Sequence, residues 1–367
     1  MRHRRLATRI DVRAVILAGG RGTRFWPLGR ATRPKQFLPI AGRKSMVEET
    51  VERIRPLIPA QRMLLVADAG QTRALRKILP KMPAASFLVE PLARNTAPSL
   101  MLATARIWLE NPKAVIAVLP ADHLIRERER FLGKLRAAVA LAAADPSLVT
   151  FGIRPTYPAT GYGYIQRSTD CPRRHGRELF YPVRAFREKP DLELADEFLA
   201  AGDYSWNSGM FVWRADVFAQ KLEAFAPDLF PFWNGVVEAL RRRDGRLLRT
   251  VFEKIPATSI DYALMEKAQG VVVCEGDFGW SDVGAWSSLF EIWKGDRAGN
   301  VVRGDQLILD SRDCLVYNPG RLTALIGVRD LIVVEAGDAL LVCASAQDQR
   351  VKDAVESLKK SKKNRYL

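Results

Sequence analysis

Between Ala14 and His123 short apolar runs alternate with amphipathic segments, and that rhythm limits the chain to few architectures. AVILA (Ala14 to Ala18) has the character of a buried strand. Ser45 to Leu57 carries helical spacing, and Ser45 with Glu48 three residues later forms a capping-box pattern. Arg62 to Asp68 is the next strand, and Gly70 to Leu79 the next helix, closed by Pro80. Ser86 to Pro91 and the nearly continuous apolar run Ala114 to His123 are further strands. The helix between them, Thr96 to Glu110, has Pro98 in its first turn, where a missing N–H costs little. The pattern predicts an α/β fold with a Rossmann-like mixed, mainly parallel sheet and helices on both faces. Ligands of such sheets lie at the carboxyl ends of the strands, where every motif below falls.

The middle of the chain is more mixed. VTFGIRP, GYGYIQR and FYPVRAFREKP read as strands, DLELADEFLAAG as a helix capped by Asp191, and WNSGMFVWRAD as a strand entering a helix. Thr258 to Ala268 reads as a short helix with a Thr258/Asp261 capping pattern. From Val301 to Cys343 short strands are broken by Gly, Asp and Asn turns at even spacing. That signature fits an all-β unit or a small parallel β-helix, for which a left-handed β-helix is one candidate form. A terminal helix follows. The expected division is a basic tail at 1–11, a catalytic domain at 12–299, and a C-terminal β unit with its helix at 300–367.

Composition removes several classes. The 367 residues are 48% hydrophobic and 27% charged, which is ordinary for a globular chain and excludes a disordered or collagen-like one. No apolar run reaches the roughly 18 residues of a membrane span, so no membrane association is expected. The basic start MRHRR is not followed by an apolar stretch and cleavage site, so no signal peptide is expected. Four cysteines without CxxC spacing and three histidines leave little room for a zinc ribbon or a His-rich metal site. Reduced thiols in a cytoplasmic compartment are expected. The net charge of +16 suits either solvated basic ends or a polyanionic substrate. No nucleic-acid-binding motif accompanies it, and no nucleic-acid partner is expected.

Gly19-Gly20-Arg21-Gly22-Thr23-Arg24 directly follows the first strand. Such a turn brings backbone N–H groups to a phosphate chain, and Arg24 can fork onto phosphate oxygens. It is neither a P-loop nor GxGxxG. A proline-studded loop with Lys35 between Pro34 and Gln36 comes next. That lysine either neutralises a leaving pyrophosphate or is a surface residue. Asp122 ends an apolar strand, where a carboxylate either holds Mg²⁺ or caps the following segment. Asp282 in GWSDVG is a second oxygen ligand or an ordinary turn aspartate. Glu90, Arg94, Asn95 and Thr96 stand where a strand hands over to a helix, so they either read a base or ribose or simply cap.

The segment GGRGTRFWPLGRATRPKQF resembles the signature of the sugar-1-phosphate nucleotidylyltransferases, in the branch that transfers a guanylyl group to mannose 1-phosphate. The resemblance continues through EPLARNTAP, LPADH, GYGYI, EKP, WNSGMF, DYA and WSDVG, from Glu90 to Gly284. Phe25 stands where leucine is usual and Gly29 where serine is usual; neither change removes a charged group. The resemblance implies transfer of GMP from GTP to mannose 1-phosphate, with Mg²⁺ as cofactor and a homodimer as the assembly. It implies catalytic roles for Arg24 and Lys35, and nucleotide contacts from Leu17, Ala18, Gly19, Gly20, Gly22, Thr23, Glu90, Arg94, Asn95, Thr96, Pro120 and Asp122. Gly161, Tyr162, Glu188, Lys189, Asn207 and Asp261 would hold the sugar phosphate, and Asp122 with Asp282 the metal. Two alternatives stay open: another NTP or hexose 1-phosphate, or a catalytically silent regulatory subunit. Two-function relatives carry an isomerase domain after this point, and with the chain stopping at Leu367 that second activity is expected to be absent.

Overall fold

The computed structural model describes residues 10–20 and 22–367. Of the basic tail expected at 1–11, only Ile10 and Asp11 fall within the described residues. The strands, in chain order, are β1 (Val12–Leu17), β2 (Met63–Ala67), β3 (Phe87–Val89), β4 (Val115–Pro120), β5 (Leu124–Ile125), β6 (Leu148–Ile153), β7 (Tyr164–Arg167) and β8 (Arg173–His175). They continue with β9 (Glu178–Arg187), β10 (Tyr204–Arg214), β11 (Val271–Glu275), β12 (Trp280–Ser281), β13 (Val301–Leu309), β14 (Leu315–Ile326), β15 (Leu331–Ala336) and β16 (Ala339–Ala344). The chain divides into two compact units. The first comprises the residues up to Gly19, Val51–Pro120 and Ile125–Trp280; the second comprises Gly20–Thr50, Ala121–Leu124 and Ser281–Leu367.

The first unit is built on a sheet of order β3-β2-β1-β4-β10-β6-β11-β9-β7, with β8 added on β9. β3, β2, β1 and β4 run parallel, as the alternation predicts. The sheet is mixed, but "mainly parallel" does not survive. Every pairing of β10 and of β9 is antiparallel, leaving β6–β11 as the one parallel pairing described beyond β4. For β9 the difference is visible in its own sequence. β9 carries exposed polar positions, as one-sided antiparallel strands do, whereas β4 is buried from Val115 to Leu119 on both faces. Ile116 and Val118 join a core with Val15, Leu100, Met101, Phe218 and Trp233. The helix Arg128–Ala144 packs against β4 and β6, and its Phe131 meets Phe278 edge-on at 5.2 Å.

Local signals behave as their chemistry requires. Ser45 N donates to Glu48 Oε2 at 2.8 Å and Glu48 N to Ser45 Oγ at 3.4 Å, the two arms of the capping box. Asp191 Oδ1 accepts from Leu194 N at 2.9 Å. The Thr258/Asp261 cap does not form. Residues Asp261–Met265 wind as a π-helical turn, Ser259 Oγ accepts from Tyr262 N, and Asp261 turns to Asn207 instead.

In the second unit the loop after the glycine-rich turn shares a core with the C-terminal strands. Phe25, Leu38, Ile40, Trp286 and Trp293 pack with Val301, Leu315, Ile332 and Val334. Trp293 Nε1 donates to the Ile40 carbonyl at 2.7 Å, and Trp286 Nε1 to that of Trp26 at 3.1 Å. These contacts carry residues 20–50 and 281–299 into the C-terminal unit. β13–β14 and β14–β15 are parallel, as a β-helical coil needs, while β15–β16 reverses into an antiparallel hairpin. Among the described residues no helix is long and apolar enough to cross a membrane.

Candidate active site

In the first unit the parallel strands place Leu17 opposite Pro120 and opposite Val66. Ala18 extends the pairing through a hydrogen bond from its N to Val66 O at 3.0 Å. Gly19 follows, and an added Cβ there would sit 3.7 Å from Glu90 Oε1. Glu90 N donates to Ala67 O, which fixes it at the end of β3. Its carboxylate is buried and accepts from Ser99 Oγ at 2.5 Å. Burial pushes its pKa up; the Ser99 hydrogen bond opposes this and the charge of Asp68 reinforces it. Asn95 holds the left-handed region at φ 71° and caps the helix Thr96–Trp108, its Oδ1 accepting from Thr96 N at 2.8 Å. Thr96 Oγ1 accepts from Ile260 N at 2.9 Å. The capping reading therefore holds for Asn95, while the Thr96 hydroxyl is taken up by Ile260 and caps no helix end of its own. Arg94 turns away to the Glu253 carbonyl at 2.9 Å.

A second group in the same unit brings the predicted sugar-side residues together. Asn207 N donates to Gly163 O at 2.7 Å, and Asn207 Nδ2 to Asp261 Oδ1 at 2.8 Å. Gly163 lies so close to the Glu188 carboxylate that a Cβ there would displace that carboxylate. Lys189 N donates to Tyr162 O at 3.2 Å, and Lys189 Nζ pairs with Glu188 Oε1 at 2.6 Å. The Tyr162 ring meets Trp206 and Trp280 edge-on at 5.0 and 5.6 Å, and exposed Gly161 precedes it. Asp261 titrates abnormally. Burial, then the negative charge of Glu188, raises its pKa to about 6, against hydrogen bonds from its own backbone and Asn207 and the charge of Lys189.

The second unit gathers the charged residues predicted for phosphate. Lys35 is buried, and its ammonium lies 2.8 Å from Asp122 Oδ2 and 2.5 Å from the Asp282 carbonyl. Gly22 makes this possible. Its φ of +56° and its contact with the Lys35 backbone, 2.5 Å from where a Cβ would stand, admit only glycine without rearrangement. Gln36 Nε2 reaches the Gly20 carbonyl at 3.4 Å. Thr23–Phe25 forms a 3₁₀ turn that presents exposed Arg24, whose guanidinium donates to Gly284 O at 3.2 Å. The Asp282 carboxylate folds over the same Gly284. Asp122 caps no helix; the next begins at Arg128. Burial would raise its pKa, but the Lys35 ammonium, then His123, outweigh that and hold the carboxyl below the usual range. His123 Nε2 is 3.9 Å from Asp122 Oδ1.

The chemistry of this donor set is compatible with Mg²⁺. A cation, the Lys35 ammonium, already sits between oxygens of Asp122 and Asp282, and the Asp122 side chain keeps 36% of its surface. All-oxygen donors with one or two carboxylates suit Mg²⁺. Among the described residues no cluster of three or more His, Cys, Asp or Glu offers a closed metal cage. Sequence reasoning missed Ser99, Gln36 and Glu266. Ser99 stands one helical turn after Asn95, and Gln36 adjoins Lys35, so both were within reach of the motif. Glu266 Oε1 accepts from Glu188 N at 3.0 Å, a pairing that no local signal announces.

Residues 13–298 match the family described as nucleotidyl transferase. Residues 304–358 match a mannose-phosphate isomerase/GMP-like β-helix domain. The chain is 39% identical over 360 residues to a mannose-1-phosphate guanylyltransferase of Klebsiella pneumoniae, covering 96% of this chain and 75% of the relative. It is 39% identical over 351 residues to the alginate biosynthesis protein AlgA of Pseudomonas aeruginosa, covering 94% and 71%. A crystal structure from Thermus thermophilus, described as a mannose-1-phosphate geranyltransferase, superposes with a TM-score of 0.84 at 36% identity, covering 95% of this chain and 100% of that one.

Proposed function

The chain belongs to the nucleotidyl transferase family, and we propose that it transfers GMP from GTP to mannose 1-phosphate, forming GDP-mannose and pyrophosphate. The observation that carries this reading is the buried Lys35 ammonium, held at 2.8 Å from Asp122 behind a glycine-rich turn that bears Arg24. In the reaction a phosphate oxygen of mannose 1-phosphate attacks the α-phosphorus of GTP. The bond from that phosphorus to the β-phosphate oxygen breaks, and pyrophosphate leaves with the electron pair. The nucleophile is already an anion at neutral pH, so the chain needs no general base. What it must supply is orientation and positive charge near several phosphates. Arg24 and Lys35 supply the charge, and the N–H groups of the turn add donors. Mg²⁺, held by Asp122 and Asp282, would neutralise phosphate charge further.

Glu90, Asn95 and Thr96 take the nucleoside side, with the choice of guanine resting on the named relatives. Glu188, Asn207 and Asp261 offer hydroxyl partners to the hexose, and Lys189 a partner for its phosphate. A homodimer is supported by exposed Leu307, Leu309, Leu322, Ile326, Leu340 and Val342 on the C-terminal strands, an apolar surface that a second copy would cover. A reducing, cytoplasmic setting is supported by four free thiols, two of them buried.

The test is pyrophosphate release with mannose 1-phosphate and each of the four NTPs, with and without a chelator. Geranyl diphosphate serves as a further arm, since the similar Thermus protein is named for geranyl transfer. Release with GTP alone, lost on chelation, supports the reading and its metal. Release with a different donor overturns the substrate, and none with any donor favours a silent regulatory subunit.

A further inference from the structure

The π-helical turn Asp261–Met265 and the residue after it carry two carboxylates with different tasks. Asp261 accepts from the Asn207 amide at 2.8 Å, and Glu266 accepts from the backbone N–H of Glu188 at 3.0 Å. In an α-helix, residues five apart would point about 140° away from each other. Here Glu266 N bonds to Asp261 O, five residues back, so residue 266 returns over residue 261. Both carboxylates thereby serve the same group, Asn207 on β10 and Glu188 at the end of β9. The turn itself is firmly seated: Ile260, Ala263, Leu264 and Met265 are buried in the main core. Just before it, Ala97 N donates to Thr258 O at 3.1 Å and Ile260 N to Thr96 Oγ1 at 2.9 Å.

We propose that Glu266 is a positioning residue for the sugar phosphate, holding the Glu188–Lys189 peptide in register with Asn207 and Asp261. This rests on the reading of Glu188, Lys189, Asn207 and Asp261 as the hexose-phosphate group. Lys189 adopts φ 46°, and its N donates to Tyr162 O, so the peptide is gripped from two sides: by Glu266 at the N–H of Glu188 and by Tyr162 at the N–H of Lys189. Releasing the first grip leaves the Glu188 carboxylate and Lys189 ammonium free to swing, while the Thr96 and Ala97 contacts on the nucleoside side stay intact. The reach of the acceptor matters more than its charge: a glutamine carbonyl at the same length still accepts from this N–H, though less strongly than a carboxylate.

Two variants separate reach from charge. Glu266→Gln keeps the length and a carbonyl acceptor; Glu266→Asp keeps the charge but withdraws the acceptor by one methylene. We expect Glu266→Asp to raise KM for mannose 1-phosphate about tenfold, with KM for GTP within twofold of wild type and thermal unfolding near wild type. Glu266→Gln should stay within threefold of wild type in both. Equal losses in the two variants, an unchanged mannose 1-phosphate KM in Glu266→Asp, or parallel rises for both substrates would overturn the proposal. If the wild type turned nothing over, the proposed reaction would fail. The positioning role would then be decided by calorimetric binding of mannose 1-phosphate: a tenfold loss confined to Glu266→Asp supports it, and equal affinities refute it.

Discussion

Replacing Asp261 with asparagine should stabilise the protein at neutral pH while weakening its use of mannose 1-phosphate. The aspartate is half-buried beside Glu188, and its pKa stands at about 6 instead of 3.8. A pKa raised in the folded state means that folding favours the protonated form. The associated stability is fully present below the unfolded value and is lost as pH rises through about 6. A rise from 3.8 to about 6 corresponds to about 3 kcal/mol as a ceiling. The residue is only half-buried by surface, so solvent screening lowers the figure to about 1–2 kcal/mol. Asparagine keeps an oxygen to accept from Asn207 and removes the charge. Urea unfolding of both proteins should show Asp261→Asn more stable by about 1–2 kcal/mol at pH 8, with the gap about halved at pH 5. Its kcat/KM for mannose 1-phosphate should fall, since a carboxylate facing the hexose is lost. A gap independent of pH, or a less stable variant at pH 8, would refute the reasoning. The cost of holding this charge is the kind that sites accept for function and not for stability.

Three further outcomes follow from the same geometry. Lys35→Met should lower kcat by a factor of about 10² or more in steady-state turnover, as loss of one oriented charge-stabilising group does, with the fold kept because Asp122 retains solvent. Gly22→Ala should cost about 1–3 kcal/mol in urea unfolding, since its Cβ would meet the Lys35 backbone in a left-handed conformation, and turnover should fall with it. Light scattering on a gel-filtration column should give a dimer mass that drops to a monomer when Leu322 and Ile326, both exposed on β14, are changed to lysine; a monomeric wild type at micromolar concentration would contradict the dimer.

Much of the first unit is legible because its signals are local. In the second unit Ser45 and Glu48 are three residues apart and signal just as locally; in the first, Asp191 precedes its helix and the apolar run of β4 announces a strand buried on both faces. The helix Arg128–Ala144 stays hidden: alanines fill much of it, so the contrast between faces that marks an amphipathic helix is weak. The helices Phe230–Arg242 and Gly245–Lys254 are also absent from the sequence expectations, although each presents apolar residues at helical spacing. The π turn passes for a capped α-helix because Thr258 and Asp261 match the spacing, and only tertiary partners draw Asp261 to Asn207. The site is legible in its residue types and opaque in its pairings. Lys35 finds the Asp282 carbonyl 247 positions away, and Glu188 finds Glu266 at a separation of 78. Arg94 shows the opposite error: next to Asn95 in sequence, it anchors on Glu253.

The most direct test follows one oxygen through the reaction. Mannose 1-phosphate carrying ¹⁸O between C1 and phosphorus would be incubated with GTP, Mg²⁺ and the protein, and the products weighed by mass spectrometry. Attack by a phosphate oxygen on the α-phosphorus leaves the C1–O bond untouched, so GDP-mannose should keep the full label and pyrophosphate should carry none. GDP-mannose lacking the label, or no GDP-mannose from folded protein, would contradict the account.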